Sequence, residues 1–170
     1  MSAELADPIT LTTRSGLAIE VRPAMPGDEA ALRQLFESVS SDDRRFRFLT
    51  ACDQLSNEQI AAMTQVDHWQ TDSFLAFADG ELVASAVLAC DKPMVMAEVA
   101  ISIRSDRKGQ GIGWSLLDYI TGEAARRGVK YLLSIESREN HQAIALEREM
   151  GFIARPVEGD STLVLLERRF

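Results

Sequence analysis

An Asp-Gly pair at positions 79 and 80 restricts the fold of this chain more than any other feature. The pair separates two apolar runs, 74–78 and 82–88, and Asp-Gly between such runs is a strong signal for a tight β-hairpin. A third strand is predicted over 95–104, after the turn at Pro93. Consecutive strands joined by short turns are antiparallel, which excludes a fold that alternates parallel strands with helices.

Periodicity on both sides of this hairpin predicts further elements. Apolar residues alternate over 17–21, as in a half-buried strand, and recur at helical spacing after the N-cap Asp28 and after a capping box of Ser56 and Gln59. Later elements are predicted as a helix at 113–127, a strand at 131–136, a helix at 140–150 and a strand at 162–166. The sequence therefore predicts an α+β fold with a mixed, mainly antiparallel central sheet and helices on both faces.

Length and composition indicate a single globular domain. Apolar residues make up 46% and charged residues 26% of the 170 positions, and we predict one domain over 16–170 after a flexible segment at 1–15. No apolar run reaches the roughly 20 residues that span a bilayer, and no signal peptide is evident, so a cytoplasmic location is expected. Cys52 and Cys90 stand far apart without a CxxC motif and are expected to be inert, reduced thiols.

Net charge limits the class of partner. The chain carries 18 Lys and Arg against 26 Asp and Glu, a net charge of -8. An acidic chain is poorly suited to nucleic acid or to an anionic membrane and better suited to a cationic acceptor. The segment 40–55 departs from this balance because three arginines interleave with Phe46 and Phe48. It is predicted to be either a solvated basic loop or a wall of a substrate groove.

A glycine-rich loop over 104–113 joins the third hairpin strand to the long helix that follows. Closely spaced glycines at such a junction leave several backbone N–H groups free to converge on an anion, and the helix dipole adds positive potential there. Arg104, Arg107 and Lys108 place three cations beside the loop. The loop is predicted to hold the phosphates of an anionic cofactor, although a plain tight connection has the same pattern.

Two other phosphate-binding patterns fit this loop poorly. The spacing of a P-loop is absent, and the Rossmann fingerprint fails because Trp114 stands three positions after Gly111. Glu136 does end the next strand, as an acidic residue does in dinucleotide-binding folds. The antiparallel hairpin does not belong to that architecture, so a nucleotide-dependent oxidoreductase is kept only as an alternative class.

The loop and its surroundings resemble the GNAT family of acyl-CoA-dependent N-acetyltransferases over nearly the whole chain. The family's loop reads Arg or Gln, two residues, Gly, one residue, Gly or Ala, and here Lys108 replaces the first while Gly111 and Gly113 fill the others. The downstream helix resembles the family's at Asn140 but has Glu147 where many members carry the tyrosine that protonates the leaving thiolate. The resemblance implies a GNAT fold, acetyl-CoA as cosubstrate and a primary amine as acceptor.

Within the family, the segments around Arg47, Glu98 and Arg104 resemble the catalytic module of bacterial protein-lysine acetyltransferases. This resemblance implies a protein lysine or a small cationic amine as the acceptor. It also implies that loop amides hold the diphosphate and that a backbone N–H near Ile101 receives the thioester carbonyl. The residues implied to bind the cofactor are Val99, Ile101, Ile103, Arg107, Lys108, Gly109, Gln110, Gly111, Ile112, Gly113, Trp114 and Asn140.

Glu98 is the expected general base. A lysine of pKa ~10.4 must lose a proton before it attacks, which costs ~4.6 kcal/mol at pH 7. Glu98 lies on the less apolar face of its strand, and the family resemblance implies a carboxylate base at this position. Without the resemblance, Glu98 would be interpreted as a solvated surface charge. No metal site is expected, because His68 and His141 lack ligand spacing. A coenzyme-A-binding sensor with little catalysis is the second hypothesis, motivated by Glu147.

Overall fold

The computed structural model describes residues 5–49 and 54–170, which form one eight-stranded sheet in the order β1-β2-β3-β4-β5-β6-β8-β7. The strands are β1 (Ile9–Thr12), β2 (Ala18–Pro23), β3 (Thr71–Ala78), β4 (Glu81–Cys90), β5 (Met96–Ile103), β6 (Tyr131–Ser137), β7 (Ile153–Val157) and β8 (Asp160–Arg169). The α-helices are α1 (Glu29–Glu37), α2 (Ser41–Phe48), α3 (Asn57–Thr64), α4 (Ile112–Arg126) and α5 (His141–Glu149). No helix in these described ranges is long and apolar enough to cross a membrane.

Helices cover both faces of the sheet, as predicted. On β3, Phe74 belongs to a core that includes Leu116 and Ile120 of α4, whereas its neighbour Leu75 belongs to a second core with Leu32 of α1 and Ile60 of α3. Successive side chains of a strand point to opposite faces, so these two cores lie on opposite sides of the sheet. The α+β class with a mixed, mainly antiparallel sheet is confirmed.

Local signals in the sequence account for several elements. Asp79 and Gly80 both have positive φ, 51° and 78°, which is the backbone that a tight hairpin between β3 and β4 needs. The predicted capping box opens α3, because the Ser56 hydroxyl accepts from the Gln59 amide and the Gln59 side chain accepts from the Ser56 amide. Asp28 precedes α1 as predicted, but its carboxylate pairs with Arg22 instead of capping the helix.

Three elements differ from the prediction. The flexible segment expected at 1–15 contains β1, which pairs with β2 because Ile9 and Leu11 pack against the core beside α4. The segment 40–55, predicted to be a solvated basic loop or the wall of a groove, contains a helix, α2, whose acidic first turn and basic last turn both suit the helix dipole. Strand β7 was not predicted, because it is an exposed edge strand with no alternation of apolar residues.

The sheet opens where its parallel pair begins to separate. Strands β5 and β6 are paired only from Met96 to Glu98, opposite Tyr131 to Leu133. Both strands then continue without pairing to each other, β5 to Ile103 and β6 to Ser137. The divergence leaves one backbone edge of β5 free and creates a cleft in the middle of the sheet.

Candidate active site

The cleft between β5 and β6 has a volume of about 340 Å³. Its floor is the diverging part of the two strands, and the glycine loop and the start of α4 close one end. Side chains from α2 and α5 form the walls, and Arg14 reaches it from the turn between β1 and β2. A cleft of this size and lining is the best-formed candidate site among the described residues.

The free edge of β5 presents alternate backbone groups to the cleft. The Arg104 amide donates to Val83 of β4, and the Met96 carbonyl accepts from Asp91, so even-numbered residues direct their backbone groups toward β4. Backbone groups alternate sides along a strand, and therefore the C=O group of Val99 and the N–H and C=O groups of Ile101 and Ile103 face the open edge. An extended ligand can pair with this edge as an added strand.

The glycine loop fits a bulky anion. Gly109 and Gly111 have φ of 78° and 84°, a backbone that side chains disfavour. A Cβ at Gly113 would lie 3.2 Å from Ile103 Cδ1, so glycine also allows α4 to start close to β5. Within the described ranges, no protein acceptor engages the amides from Gly109 to Gly113, which suits the diphosphate of coenzyme A.

Two of the three predicted cations line the cleft. Lys108 Nζ lies 2.6 Å from an Asp43 carboxylate oxygen of α2, and Arg107 Nη2 lies 3.6 Å from Glu81. Arg104 is not among the lining residues of the described chain, because its guanidinium is held by Asp106 through two contacts of 2.7 Å.

Two glutamates meet on the wall formed by β6 and α5. Glu136 of β6 accepts from the Ser134 hydroxyl at 2.9 Å and from the Asn140 amide at 3.2 Å, and its carboxylate interacts with that of Glu147 on α5. Glu147 is only 5% exposed, and its Oε2 has no partner among the described residues. Burial, then the charge of Glu136, raises the pKa of Glu147 to about 9.

Burial also raises the pKa of Glu136, although the Ser134 and Asn140 hydrogen bonds and the charge of Arg47 oppose the shift. Two carboxylates in one buried site cannot both be charged cheaply, so one proton is retained between them. Glu147 therefore holds a proton inside the cleft at neutral pH.

The α2 wall carries a cation, Arg47, and the predicted base, Glu98, lies on the floor, on β5. The Arg47 guanidinium of α2 stacks on Phe48 at 4.8 Å and makes no ion pair with a carboxylate of the described ranges. Burial lowers the pKa of Arg47, while Glu98 and Glu136 act against this shift from across the cleft. Glu98 lies on the strand face opposite Val99, which packs in the core beside α4.

Comparison with known proteins gives the family. Residues 33–152 match the model of the acetyltransferase (GNAT) family. The chain belongs to the GNAT family. GNAT acetyltransferases use acetyl-CoA as the acetyl donor, so the activity class and the predicted cosubstrate are confirmed.

Individual relatives agree with this GNAT assignment. An acetyltransferase of Pseudomonas aeruginosa is 27% identical over 156 residues, which cover 88% of this chain and 83% of that protein. The GNAT domain of S. lividans PAT has a TM-score of 0.89 at 23% identity, covering 96% of this chain and 97% of that one. A Salmonella typhimurium acetyltransferase with its cofactor acetyl-CoA has a TM-score of 0.68 at 18% identity, covering 89% and 93%. The predicted GNAT fold is confirmed.

The cleft of this GNAT domain brings together almost all residues predicted to bind the cofactor. Gln110 differs: it is not among the lining residues of the described chain, and its carbonyl accepts from the Ser15 hydroxyl. Arg14 was not predicted as a site residue, because the segment before Gly16 has no clear helical or strand periodicity. It noted Arg47, Glu136 and Glu147, but pattern alone did not assemble them at one place.

Cysteine and histidine do not contribute to the cleft of the described chain. Cys90 is buried on β4, and burial raises the pKa of its thiol, which suits the expected inert role. Cys52 lies outside the described residues. His68 pairs with Asp72 away from the cleft, and the described ranges hold no group of His, Cys, Asp or Glu arranged to bind a metal ion.

Proposed function

We propose that this GNAT domain transfers the acetyl group of acetyl-CoA to a primary amine by direct attack in a ternary complex. The observation that carries the proposal is a single cleft whose lining includes free loop amides, the open edge of β5 and the Glu98 carboxylate. These parts supply, in order, an anchor for the cofactor, a donor for the reacting carbonyl and a base for the acceptor.

The donor half of the reaction uses backbone groups. The amides from Gly109 to Gly113 bind the diphosphate, and Lys108 and Arg107 add charge beside it. The pantetheine arm pairs with Val99 and Ile103 along the free edge of β5. The Ile101 N–H, between them, donates to the thioester carbonyl oxygen, where negative charge grows as the amine attacks. Asn140 borders the same arm from the start of α5.

The acceptor half uses Glu98. The side chain of Glu98 points to the α2 face of the sheet, away from the core that packs on Val99, so the amine approaches from that face. Glu98 takes the proton of the ammonium group, directly or through water, and the neutral amine attacks the carbonyl carbon. Arg47 lies close enough to Glu98 for the two charges to interact, and both side chains line the cleft.

The leaving group needs a proton of its own. As the carbon–sulfur bond breaks, the electron pair stays on sulfur, and Glu147 donates its retained proton to this thiolate. A free thiol titrates near pKa ~8.5, so a carboxyl group with a pKa of about 9 is matched to the task. Glu147 thereby protonates the thiolate in place of the tyrosine that many family members have at this position.

The acceptor we propose is a protein lysine or a small cationic amine. The acidic balance of the chain, with a net charge of -8, favours a cationic acceptor. The structural similarity to the GNAT domain of S. lividans PAT covers nearly all of both chains. It supports testing protein acceptors before small amines. We propose a cytoplasmic location, where acetyl-CoA and reduced thiols coexist.

The test is a thiol-release assay with acetyl-CoA and a panel of lysine-containing proteins, peptides and small amines. Acceptor-dependent release of coenzyme A, with acetylated acceptor found by mass spectrometry, is expected. Glu98→Gln is expected to lower kcat by ~100-fold at neutral pH and less at alkaline pH, where the amine deprotonates unaided. Glu158→Gln, which removes an exposed carboxylate outside the cleft lining, is the matched control.

The same assay decides between catalysis and sensing. Tight binding of acetyl-CoA without acceptor-dependent thiol release across the panel would favour the coenzyme-A-binding sensor. An unchanged pH–rate profile for Glu98→Gln would remove Glu98 as the base while leaving the transferase activity in place.

A further inference from the structure

The turn between β1 and β2, residues 13–16, packs against the glycine loop. The Ser15 hydroxyl donates to the Gln110 carbonyl at 2.6 Å, and the Thr13 side chain lies beside Gly111, where an added Cβ would approach it to 3.2 Å. The turn itself is closed by the hydrogen bond from the Gly16 amide to the Thr13 carbonyl, at 2.9 Å. A segment far away in sequence thus forms part of the loop's support.

Arg14, in the middle of this turn, lines the cleft. Its guanidinium stacks over the Trp114 ring at 4.6 Å from the ring centre, and its Nη1 contacts a Glu149 carboxylate oxygen at 2.9 Å. Trp114 belongs to the first turn of α4, directly after the loop amides. Two contacts therefore hold the Arg14 guanidinium at the end of the cleft that the glycine loop forms.

The ion pair of Arg14 is easily exchanged. Both side chains are about half exposed, at 54% and 55%, and an exposed ion pair contributes little to stability. A phosphate group offers the guanidinium two charge-assisted hydrogen bonds in a fork geometry, which is a stronger contact than one exposed carboxylate. Stacking on Trp114 is compatible with this exchange, because the ring contacts the face of the guanidinium and leaves its edge free to donate.

We propose that Arg14 binds a phosphate group at the nucleotide end of coenzyme A, exchanging Glu149 for the phosphate while it stays stacked on Trp114. The inference rests on the proposed function, because it takes the glycine loop as the diphosphate site. It adds a cofactor-binding residue from the N-terminal turn, outside the loop and its helix. The turn and the glycine loop then both bind the cofactor.

The experiment measures binding by titration calorimetry of coenzyme A, 3'-dephospho-coenzyme A and pantetheine. Arg14→Gln keeps a polar, hydrogen-bonding side chain and removes its charge. Arg148→Gln, an exposed arginine of α5 outside the cleft lining, is the matched control. Thermal unfolding of both variants checks that the fold is kept. Arg14→Gln is expected to weaken coenzyme A binding by about tenfold, with Arg148→Gln unchanged and pantetheine binding unaffected.

The shortened ligand identifies which phosphate is bound. If Arg14→Gln loses nothing on 3'-dephospho-coenzyme A, Arg14 contacts the terminal phosphate; if it loses the same factor, Arg14 contacts the diphosphate. Equal binding of coenzyme A by Arg14→Gln and Arg148→Gln would overturn the inference, as would an equal loss on pantetheine. Failure of the unmodified protein to bind coenzyme A would instead contradict the proposed function.

Discussion

Two groups of ionisable side chains lie inside this GNAT domain, and they differ in how their members are paired. The anchor cluster consists of His68, Asp72, Glu123 and Arg127, beneath the C-terminal end of α4. The cleft cluster consists of Arg47, Glu98, Glu136 and Glu147, around the active-site cleft. Both place ionisable groups in or beside the core, yet they differ in how completely those groups are paired.

In the anchor cluster every charge has a partner. The Arg127 side chain is 1% exposed and donates to an Asp72 carboxylate oxygen at 2.6 Å and to the carbonyls of Trp69 and Glu123 at 3.1 Å each. The other Asp72 oxygen contacts His68 Nδ1 at 3.0 Å. Burial alone would raise the pKa of Glu123, but Arg126 and Arg127 hold it below its usual range.

In the cleft cluster the ionisable groups are incompletely paired. Glu147 Oε2 has no partner within the described ranges, and burial raises the pKa of both Glu147 and Glu136. Arg47 interacts electrostatically with Glu98 and Glu136 without forming an ion pair with either. Fully paired buried charges join elements together, whereas unpaired ones with displaced pKa values are suited to moving protons. The anchor cluster therefore suits a structural role, whereas the cleft cluster has the features that the proposed proton transfers require.

The largest expected effect is on the anchor cluster. Arg127→Met leaves the buried Asp72 carboxylate without its guanidinium and is expected to lower the free energy of unfolding by about 3 to 5 kcal/mol. Arg126→Met, an exposed arginine paired with Glu123 on the same helix, is the control and is expected to cost at most about 1 kcal/mol. Urea unfolding measures both. Equal costs for the two variants would contradict the structural role given to Arg127.

The second prediction concerns Glu147. A glutamate with a raised pKa stabilises the fold fully below its unfolded pKa, near 4.5, and loses that contribution as the pH rises toward 9. Glu147→Gln is therefore expected to match the unmodified protein in acid and to exceed it by roughly 3 kcal/mol at pH 7. Because the glutamine amide is not acidic enough to protonate the thiolate, kcat is expected to fall by ~100-fold.

Unfolding at several pH values, together with kcat, tests both halves of the Glu147 prediction. Glu158→Gln, on the surface, again serves as the control. A Glu147→Gln variant whose stability runs parallel to that of the unmodified protein from pH 5 to pH 8 would show that Glu147 is charged in the fold. Undiminished kcat would remove it as the proton donor.

The smallest effect is expected for Arg47. Since Arg47 forms no ion pair within the described ranges, Arg47→Met is expected to change the free energy of unfolding by less than about 1 kcal/mol. The variant removes a cation that opposes the raised pKa of Glu136, so that pKa is expected to rise further. Carboxyl NMR titration measures this shift, with Arg45→Met on the same helix as the control. A fall in the Glu136 pKa would break the comparison between the clusters.

Much of the donor half of the site followed from the sequence. The hairpin at Asp79 and Gly80, the capping box at Ser56 and the glycine loop are local patterns, in which a few adjacent residues decide the backbone. The alternation along β5 likewise placed Glu98 on the face opposite Val99. Helix α2 escaped prediction because its charge-rich sequence has little apolar periodicity, and β7 because an edge strand needs none.

The sequence by itself determined the tight hairpin, the glycine loop and the face of β5 on which Glu98 lies, because these features reside in contiguous residues. Only the tertiary structure decided that β5 and β6 separate after Glu98, that Glu136 and Glu147 share a site, and that Arg14 reaches the cleft. Each of these depends on residues that are distant in the chain meeting at the sheet. The pKa of a buried group depends on such neighbours and on desolvation, and neither can be predicted from the spacing of residues along the chain.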